Sequence, residues 1–506
     1  MKKTFAVLLT VVMMVSLFAG CAGTNTDGDR AAGNNDVVTL SMYLYGAEGA
    51  VNKDVLKELN KILSEEVGAN LEVKYIDWGD VATKYPLLWA GGEQFDMAYV
   101  ASNTGVPYAN LARQDALVDI TELVDEYAPK LKEELPQEAW ESMRVDGKIY
   151  GVPTAYSEFT AYGFVSRRDL MEKCGLDKID SVEDMEKYMD TALQEGIVPL
   201  NGNSILANNL YRMYVALTDD WLDAPGIPNS EMYLCGSAAD PENIFHPAFD
   251  DSFVDLAVKL RQWADKGYWT RDILAAAQTD KDNFLNGASA SYIAHQPDWT
   301  GTHGAMVEKL PGMETEFYCF AEGQNKIVRK AGVENATGIS ANSKYPEKCL
   351  QVIEMLMTDE RCYNLFQYGI EGRSYEIVDG KTTQPEGFDP EKDGGGFSGW
   401  ALRNDKYNIP ADFEDERRYT LNDAWNEVAI DNPYVGFNVD TSKLTAELSA
   451  IANVNSQLGM QIMVGKTADD PKAAVEKYRE QLKAAGIDRV IEEVKAQYVD
   501  FLASQK

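Results

Sequence analysis

The residue types that support common enzyme chemistries are few and wrongly spaced in this chain. The histidines are His246, His295 and His303, and the His-Glu-x-x-His motif of zinc hydrolases is missing. A phosphate-binding glycine loop and the Gly-x-Ser-x-Gly turn of serine hydrolases are missing too. The chain has 81 acidic residues, so the sequence does not exclude the pair of carboxylates that a glycosidase needs, but no pair stands out by its position. We expect no metal, no cofactor and no enzyme activity, with a glycoside hydrolase as the alternative.

A second set of side chains is suited to binding a polyhydroxylated ligand. A sugar presents hydroxyl groups at the edge of its ring and C–H patches on its faces, so a binding site combines aromatic rings with planar polar groups. The candidates follow predicted strands or lie in connections, and they are Glu48, Ser102, Asn103, Tyr156, Asn201, Asn203, Asp298, Trp299, Arg373 and Trp400. We predict Trp299 as the first aromatic platform and Trp400 as the second.

Alternating strands and helices must position these side chains. Predicted strands at 37–45, 71–76 and 95–100 are separated by helical patterns, which indicates a parallel sheet with covering helices. Ligands of such sheets bind beyond the carboxyl ends of the strands, here at 46–49 and 102–105. A later strand at 290–294 is followed by a predicted loop at 295–299.

Residues 145–168 predict a connection between two lobes. A strand at 149–152 ends at Pro153, because proline has no N–H group for the ladder. A second extended run at 159–165 follows before a helix begins at Asp169. We therefore expect a hinge here, with Tyr156 facing a cleft between the lobes.

Each candidate also has a structural interpretation. Trp299 could pack into the core, and Asp298 could cap the turn that follows it. The asparagines could form turns, because asparagine tolerates left-handed backbone conformations. Arg373 could pair with one of the many acids. The tryptophans predicted as core or lobe-surface residues are Trp78, Trp89, Trp140, Trp263 and Trp425.

The N-terminus is typical of a secreted lipoprotein. Lys2 and Lys3 precede an uncharged run that ends in small residues before Cys21. We predict a signal peptide at 1–20, acylation of Cys21 by chains such as palmitate, and a flexible linker at 21–36. The protein is then expected outside the cytoplasm, attached to the cell membrane by its lipid anchor. A transmembrane anchor is the alternative, but the apolar run is short and lacks a stop-transfer flank.

The net charge and the cysteine spacing limit the classes of ligand and partner. The formal net charge of −34 argues against binding nucleic acid and against docking flat on anionic lipid. Cys174, Cys235, Cys319, Cys349 and Cys362 lack metal-like spacing. The sequence does not exclude one disulfide, but we expect free buried thiols.

The order of landmarks resembles extracellular solute-binding protein family 1, the maltose-binding-protein-like sugar receptors of ABC importers. The matching pieces are the lipobox before Cys21 and the segments WAGGEQFDMAYV, LVDITELVDEYAP, GKIYGVPTAYSEFTAYGFVSRRDL, FLNGASASYIAHQPDW and ATGISANSKYPEKCLQVIEML. The segments YGIEGRSY, NPYVGFNVDTSKLTAELSAIANVNSQL and KAAGIDRVIEEVKAQYVDFL are similar to a lipoprotein-type subgroup with a C-terminal domain of unknown function.

The resemblance implies a two-lobed α/β periplasmic-binding-protein-like fold of type II with hinge strands and an extra C-terminal helical region. The implied first lobe is 37–152 plus 326–368, and the second is 156–319 plus part of 371–430. The helical domain is 431–506. The lobes would close around a carbohydrate, expected to be an oligosaccharide, and deliver it to ABC-transporter permease subunits. The receptor is expected to be a monomer.

A third interpretation keeps the fold and changes the ligand. A peptide or amino-acid receptor would need a fixed charged pair for the termini of its ligand, and Arg373 with Glu48 could supply that pair. The sequence leaves this alternative open.

Overall fold

The computed structural model describes residues 37–91, 94–102, 106–155, 159, 161–203, 205–218, 220–224, 234–309, 314–329, 334–397 and 399–504. The predicted signal peptide, Cys21 and the linker lie outside the described residues, as do Asn103 and Tyr156. Within these ranges, no helix combines the length and the apolar character needed to cross a membrane.

The described strands and helices alternate through much of the chain. The strands are β1 (Val38–Tyr45), β2 (Ala69–Ile76), β3 (Met97–Val100), β4 (Arg144–Val145), β5 (Lys148–Ile149), β6 (Gly151–Pro153), β7 (Tyr162–Arg167), β8 (Val198–Leu200), β9 (Trp221–Asp223), β10 (Cys235–Ser237), β11 (Ser289–His295), β12 (Thr315–Cys319), β13 (Ala336–Ile339), β14 (Glu376–Val378) and β15 (Lys381–Thr383).

The α-helices are α1 (Asn52–Glu66), α2 (Val81–Ala90), α3 (Tyr108–Arg113), α4 (Leu123–Tyr127), α5 (Pro129–Glu134), α6 (Gln137–Ser142), α7 (Arg168–Cys174), α8 (Val182–Gln194), α9 (Ile205–Leu217), α10 (Ser252–Lys266), α11 (Asp280–Leu285), α12 (Gln296–Lys309), α13 (Pro346–Thr358), α14 (Glu360–Tyr368), α15 (Pro390–Asp393), α16 (Arg417–Val428), α17 (Thr445–Val454), α18 (Met460–Met463), α19 (Pro471–Ala484) and α20 (Ile487–Ser504).

The first lobe is built on a five-stranded sheet in the order β2-β1-β3-β13-β6. β1 runs parallel to β2 and β3, and β13 runs antiparallel to β3 and β6. Leu40 and Met42 of β1 share a buried cluster with Leu59 of α1 and Ile353 of α13, because these apolar residues recur on one face of each element. The carboxyl ends of β1, β2 and β3, the first residue of β13 and the last residue of β6 share one edge, which we call the first-lobe edge.

The second lobe is built on a four-stranded sheet in the order β12-β7-β11-β8. β7 is antiparallel to β11 and β12, and β11 is parallel to β8. The carboxyl ends of β8, β11 and β12 and the first residue of β7 therefore share one edge, which we call the second-lobe edge. Tyr162 opposes His295 there, and Gly163 opposes Cys319.

Both main connections between the sheets join these two edges. Residues 154–161 lead from Pro153 at the first-lobe edge to Tyr162 at the second-lobe edge. Residues 320–335 return from Cys319 to Ala336. A third passage follows residue 404, where Asn404 bridges Ala155, and it leads to α16, whose Arg418 carbonyl accepts from Gln296 Nε2 at 3.1 Å. The predicted two-lobed α/β fold with hinge strands is confirmed.

The predicted C-terminal helical region is present, and its apolar face completes the core of the second lobe. Phe253 and Leu260 of α10 share one buried cluster with Val475 and Tyr478 of α19. Trp269 Nε1 donates to the carbonyl of Val464 at 2.9 Å, which adds a buried polar tie. These helices and the second lobe therefore form a single core.

The prediction of a loop at 295–299 is wrong, because α12 begins at Gln296 directly after β11. Pro297 is compatible with the first turn of a helix, where a backbone N–H has no intrahelical partner. Asp298 in the same turn is favoured by the positive end of the helix dipole.

The described cysteines are free thiols. Cys235, Cys319, Cys349 and Cys362 are buried, and Cys174 is half-buried. Burial raises the pKa of the Cys319 thiol to about 12. A buried thiol with so high a pKa is a poor nucleophile, so Cys319 acts as a small apolar residue.

Candidate functional site

The first-lobe edge carries a row of aromatic rings. Tyr45 at the end of β1 packs against Tyr99 of β3, with ring centroids 4.8 Å apart. It also packs edge-on against Trp78, whose ring lies 5.4 Å away. Trp78 in turn lies 5.3 Å from Trp400 at an interplanar angle of 56°. Trp78 is 56% exposed, so this row ends in an aromatic surface that faces solvent.

Local turn chemistry sets the position of Trp78. The tryptophan lies two positions after the last residue of β2 and begins a short 3-10 turn, Trp78–Asp80. The Asp77 carboxylate accepts from the backbone N–H of Gly79 at 2.9 Å, which caps this turn. The Asp-Trp-Gly-Asp sequence therefore places a large ring at the carboxyl end of a strand.

Trp400 reaches the same edge from a distant part of the chain. It begins the short turn Trp400–Leu402, which packs beside β13 and whose Ala401 carbonyl accepts from Thr337 Oγ1 at 3.3 Å. The residue before this turn is fixed by Gln367, whose Nε2 donates to the carbonyl of Gly399 at 3.3 Å. The structure thus brings the predicted Trp400 together with Trp78, which the sequence interpretation had left among core or lobe-surface residues.

The hydroxyl groups beside this aromatic row are neutral near pH 7. Burial raises the pKa of Tyr75 to about 12, although Asn52 Nδ2 donates to its oxygen at 2.8 Å. Burial also raises the pKa of Tyr45. The Tyr45 hydroxyl is buried and the Tyr75 oxygen already accepts from Asn52, so the row offers uncharged ring surface to a ligand.

The second-lobe edge carries charged and polar groups. Tyr162 lies 6.0 Å from the ring of His295, and the guanidinium group of Arg212 lies 4.7 Å over the Tyr162 ring. The predicted Asp298 lies one turn beyond His295 and pairs with Lys281 at 2.6 Å and with His295 at 3.4 Å. The Asp298 carboxylate is half-buried, so a ligand can still reach it.

Glu48 and Ser102 lie where the sequence predicted them, beyond the carboxyl ends of β1 and β3. Glu48 is exposed, and Ser102 is half-buried. Their predicted neighbour Asn103 lies outside the described residues, as does Tyr156 in the connection.

Asn201 and Asn203 follow β8, where Asn201 ties the strand end to distant residues and Asn203 makes the contact of a turn-forming asparagine. Asn201 Oδ1 accepts from Thr270 Oγ1 at 3.0 Å, and its carbonyl accepts from Asn283 Nδ2 at 3.1 Å. Asn203 Oδ1 accepts from the backbone N–H of Ile205 at 3.0 Å and so orders the start of α9.

Trp299 requires a correction, because it is a core residue and not an exposed platform. Only 1% of its surface is exposed. Its ring stacks on Phe317 at 5.2 Å, and the Arg417 guanidinium lies 5.0 Å over the ring. Its Nε1 donates to Thr315 Oγ1 at 3.0 Å. A sugar ring has no access to either face.

Arg373 makes the ion pairs that its structural interpretation describes. Its guanidinium lies 2.8 Å from Asp54 and 3.5 Å from Asp393, and it donates to the carbonyl of Lys392 at 3.3 Å. These contacts tie the turn after α14 to the start of α1. Among the described residues, no cluster of histidine, cysteine or carboxylate side chains is arranged to hold a metal ion.

Comparison with known proteins accounts for this architecture. The family model described as bacterial extracellular solute-binding protein matches residues 56–372. A second model, described as a domain of unknown function (DUF3502), matches residues 433–503. A carbohydrate ABC transporter substrate-binding protein of Streptococcus pneumoniae serotype 4 is 24% identical over 512 residues, which covers 100% of this chain and 99% of the relative. Lipoprotein LipO of Bacillus subtilis is 22% identical over 411 residues, 76% of each chain.

Solved structures show the same fold. The N-glycan transport solute binding protein NgtS of Streptococcus pneumoniae in complex with Man1GlcNAc has a TM-score of 0.72 and 22% identity, covering 92% of this chain and 100% of that one. The same protein in complex with Man5GlcNAc has a TM-score of 0.69. The family match spans more than half of the chain, and this protein therefore belongs to the bacterial extracellular solute-binding proteins.

Proposed function

We propose that this protein is the carbohydrate receptor of an ABC importer and that it captures an oligosaccharide between its two lobes. The observation that carries the proposal is the exposed Trp78 ring, backed by Trp400 and Tyr45, at an edge joined by both connections to the second lobe. The full-length similarity to a carbohydrate ABC transporter substrate-binding protein supports it.

The two edges divide the work of binding a sugar. The C–H face of a pyranose stacks on Trp78, since aromatic rings bury apolar faces without competing for hydroxyl groups. The hydroxyl groups then bond to Asp298 and His295 at the second-lobe edge. A ligand that contacts both edges shifts the population of receptors towards the closed state. Micromolar affinity, about −8 kcal/mol, is the expected scale for such a site.

The finer parts of the proposal concern the surroundings of the receptor. A lipid on Cys21 anchors the chain to the cell membrane, outside the cytoplasm, and the name of the relative lipoprotein LipO supports this. The closed monomer delivers its ligand to permease subunits. The moving lobes are those predicted from the sequence, 37–152 plus 326–368 and 156–319 plus part of 371–430.

The alternatives are less well supported. A peptide receptor would need Arg373 for a ligand carboxylate, but Arg373 pairs with Asp54 and Asp393. A glycoside hydrolase would need two carboxylates on either side of one bond, and the best-placed carboxylate, Asp298, pairs with Lys281 instead.

Isothermal titration tests the proposal. The probes are Man1GlcNAc, Man5GlcNAc, maltose and maltohexaose, and the variants are Trp78→Ala and Tyr345→Ala. Tyr345 is the matched control, because it is an exposed aromatic residue after the opposite end of β13. We expect the native protein to bind the Man-GlcNAc probes, the malto-oligosaccharides or both. Trp78→Ala should weaken this binding, and Tyr345→Ala should leave it intact. Absence of binding, together with hydrolysis of nitrophenyl glycosides, would overturn the proposal.

A further inference from the structure

Helix α9 (Ile205–Leu217) lies across the second-lobe edge. Its contacts reach, in chain order, the loop after β8, the last residues of β11, the start of β7 and the connection after β12. This is also the order of the strands across the sheet. The helix therefore borders the side of the second lobe on which we place the ligand, and Arg212 near its middle is half-buried there.

Two contacts fix the guanidinium group of Arg212. It lies 4.7 Å over the ring of Tyr162, the first residue of β7, which pairs with His295 at the second-lobe edge. Its Nη1 donates to Asn209 Oδ1 at 3.2 Å. The ring contact limits the position of the group, and the hydrogen bond limits its rotation. Arg212 and Tyr162 are both half-buried, so a ligand can reach this pair.

The side-chain amide of Asn209 has a single orientation. Its Nδ2 donates to the carbonyl of Ile293 at 2.9 Å and to Asp280 Oδ2 at 3.1 Å. Because a carbonyl group and a carboxylate accept hydrogen bonds and do not donate them, the NH2 group must face both, and Oδ1 faces Arg212. Asn209 is only 4% exposed, so water offers its amide few other partners.

The carboxylate of Asp280 maintains this orientation. Asp280 is 4% exposed, and its Oδ1 accepts from the backbone N–H of Lys281 at 3.1 Å. Burial raises the pKa of Asp280, and the N–H groups around the carboxylate oppose this rise. Both oxygens accept from N–H groups, which an asparagine could not reproduce, because one of its two terminal atoms is a donor. A carboxylate at position 280 therefore keeps the amide oxygen of Asn209 towards Arg212.

The first turn of α11 supports two charged groups of the second-lobe edge. A capping box fixes this turn. Within it, Asp280 acts on Arg212 through the amide, and the next residue, Lys281, pairs with Asp298 at 2.6 Å. One short helix thus sets the positions of a group that only donates hydrogen bonds, Arg212, and a group that only accepts them, Asp298.

We propose that Arg212 binds an oxygen acceptor of the sugar, and that Asp280 is its positioning residue and acts through the amide of Asn209. A hydroxyl group, a ring oxygen or an acetamido carbonyl can accept from a guanidinium group, which carries five N–H donors. Asp298 accepts only, so the second-lobe edge recognises donors and acceptors of the sugar at two separate points. This inference rests on the proposed function and adds a donor to its binding site.

Titration with the four sugars named above tests both roles. Arg212→Met keeps the apolar stem and removes the donors. It should lower the affinity about tenfold or more, because hydrogen bonds to charged groups are strong. Asp280→Asn should lower the affinity about threefold or more. The double variant should match Arg212→Met within about twofold, because Asp280 has no effect on binding once Arg212 is gone.

Glu186→Gln is the control for a loss of stability. Glu186 is a second-lobe carboxylate that accepts from Trp263 Nε1 at 2.6 Å and from Lys259 Nζ at 2.9 Å, both in α10. This variant should lower the melting temperature and change the affinity less than about twofold. If Asp280→Asn does not fold, Asn209→Ala replaces it with the same expected results, since it removes the amide and keeps both charged groups.

The outcomes separate this inference from the proposed function. Unchanged affinity in Arg212→Met would overturn the ligand contact. Unchanged affinity in Asp280→Asn, or losses that multiply in the double variant, would overturn the positioning role. Each of these results leaves the proposed function standing, because the native protein still binds a sugar. If the native protein binds none of the four sugars, the proposed function and this inference fail together.

Discussion

At the first-lobe edge the proposed ligand-facing group is an exposed aromatic ring, whereas at the second-lobe edge it is a half-buried carboxylate beside a lysine and a histidine. Trp78 is backed by Tyr45 and Trp400, so its orientation is fixed by apolar packing. Asp298 is instead held by an ion pair with Lys281 and a 3.4 Å contact with His295. Stacking tolerates many sugars, while hydrogen bonds to a carboxylate select the orientation of particular hydroxyl groups. The first edge is therefore expected to supply affinity and the second to supply specificity.

Two tryptophans give the largest contrast, because both follow a strand but only one is exposed. Trp299→Ala should lower the free energy of unfolding by about 3–5 kcal/mol, since it removes a buried ring and its bond to Thr315. Chemical denaturation measures this loss. Trp78→Ala is the control and should change stability by less than about 1 kcal/mol. Equal stability losses in the two variants would contradict the contrast.

Acid should destabilise the protein through a buried histidine of the second lobe, His246. Burial lowers the pKa of His246 to about 4. Unfolded histidine takes up a proton near pH 6.5 while folded His246 stays neutral, so the free energy of unfolding falls by about 3 kcal/mol as the pH drops from about 6.5 to about 4. Denaturation at a series of pH values checks this.

His246→Asn is the control for the acid effect. In the native protein, His246 Nδ1 accepts a hydrogen bond from the N–H of Ala248 at 3.2 Å. Asparagine does not titrate, and its side-chain oxygen can accept the same hydrogen bond. The stability difference between the native protein and this variant should shrink as the pH falls. A constant difference would show that His246 does not cause the loss.

The next largest expected effect is on ligand binding, when the aromatic platform Trp78 is removed. Trp78→Ala should lower the affinity for the oligosaccharide about thirtyfold, or ~2 kcal/mol, because the ring that stacks on the sugar is lost. Titration of Tyr345→Ala should show no change. An unchanged affinity in Trp78→Ala would locate the main sugar contact elsewhere.

Asp298→Asn should have the smallest effect on affinity and the largest on selectivity. The amide keeps one acceptor and loses the charge, so we expect a threefold to tenfold loss, about 1 kcal/mol, that differs between sugars. Stability should hardly change, because partly exposed ion pairs contribute about 0–1 kcal/mol. If Asp298→Asn lost the same affinity for every sugar in the panel, the second-lobe edge would not determine specificity.

The sequence patterns predicted the strands and the two-lobed plan well, because alternation and helical spacing are local. The burial of Trp299 was not predictable in that way. It depends on Phe317 and Arg417, which are distant along the chain. Trp78 could have been found, since Asp77 and Gly79 mark a turn just after a strand.

The shared core of the second lobe and the C-terminal helices also sets an order for folding during synthesis. The five-stranded sheet is complete once residue 339 has been synthesised, and its covering helices α13 and α14 follow by residue 368. The second-lobe core instead needs Tyr478 and Val494, close to the last residue. Because chains are synthesised from the N-terminus, the core of the second lobe stays unfinished until α19 and α20 have emerged.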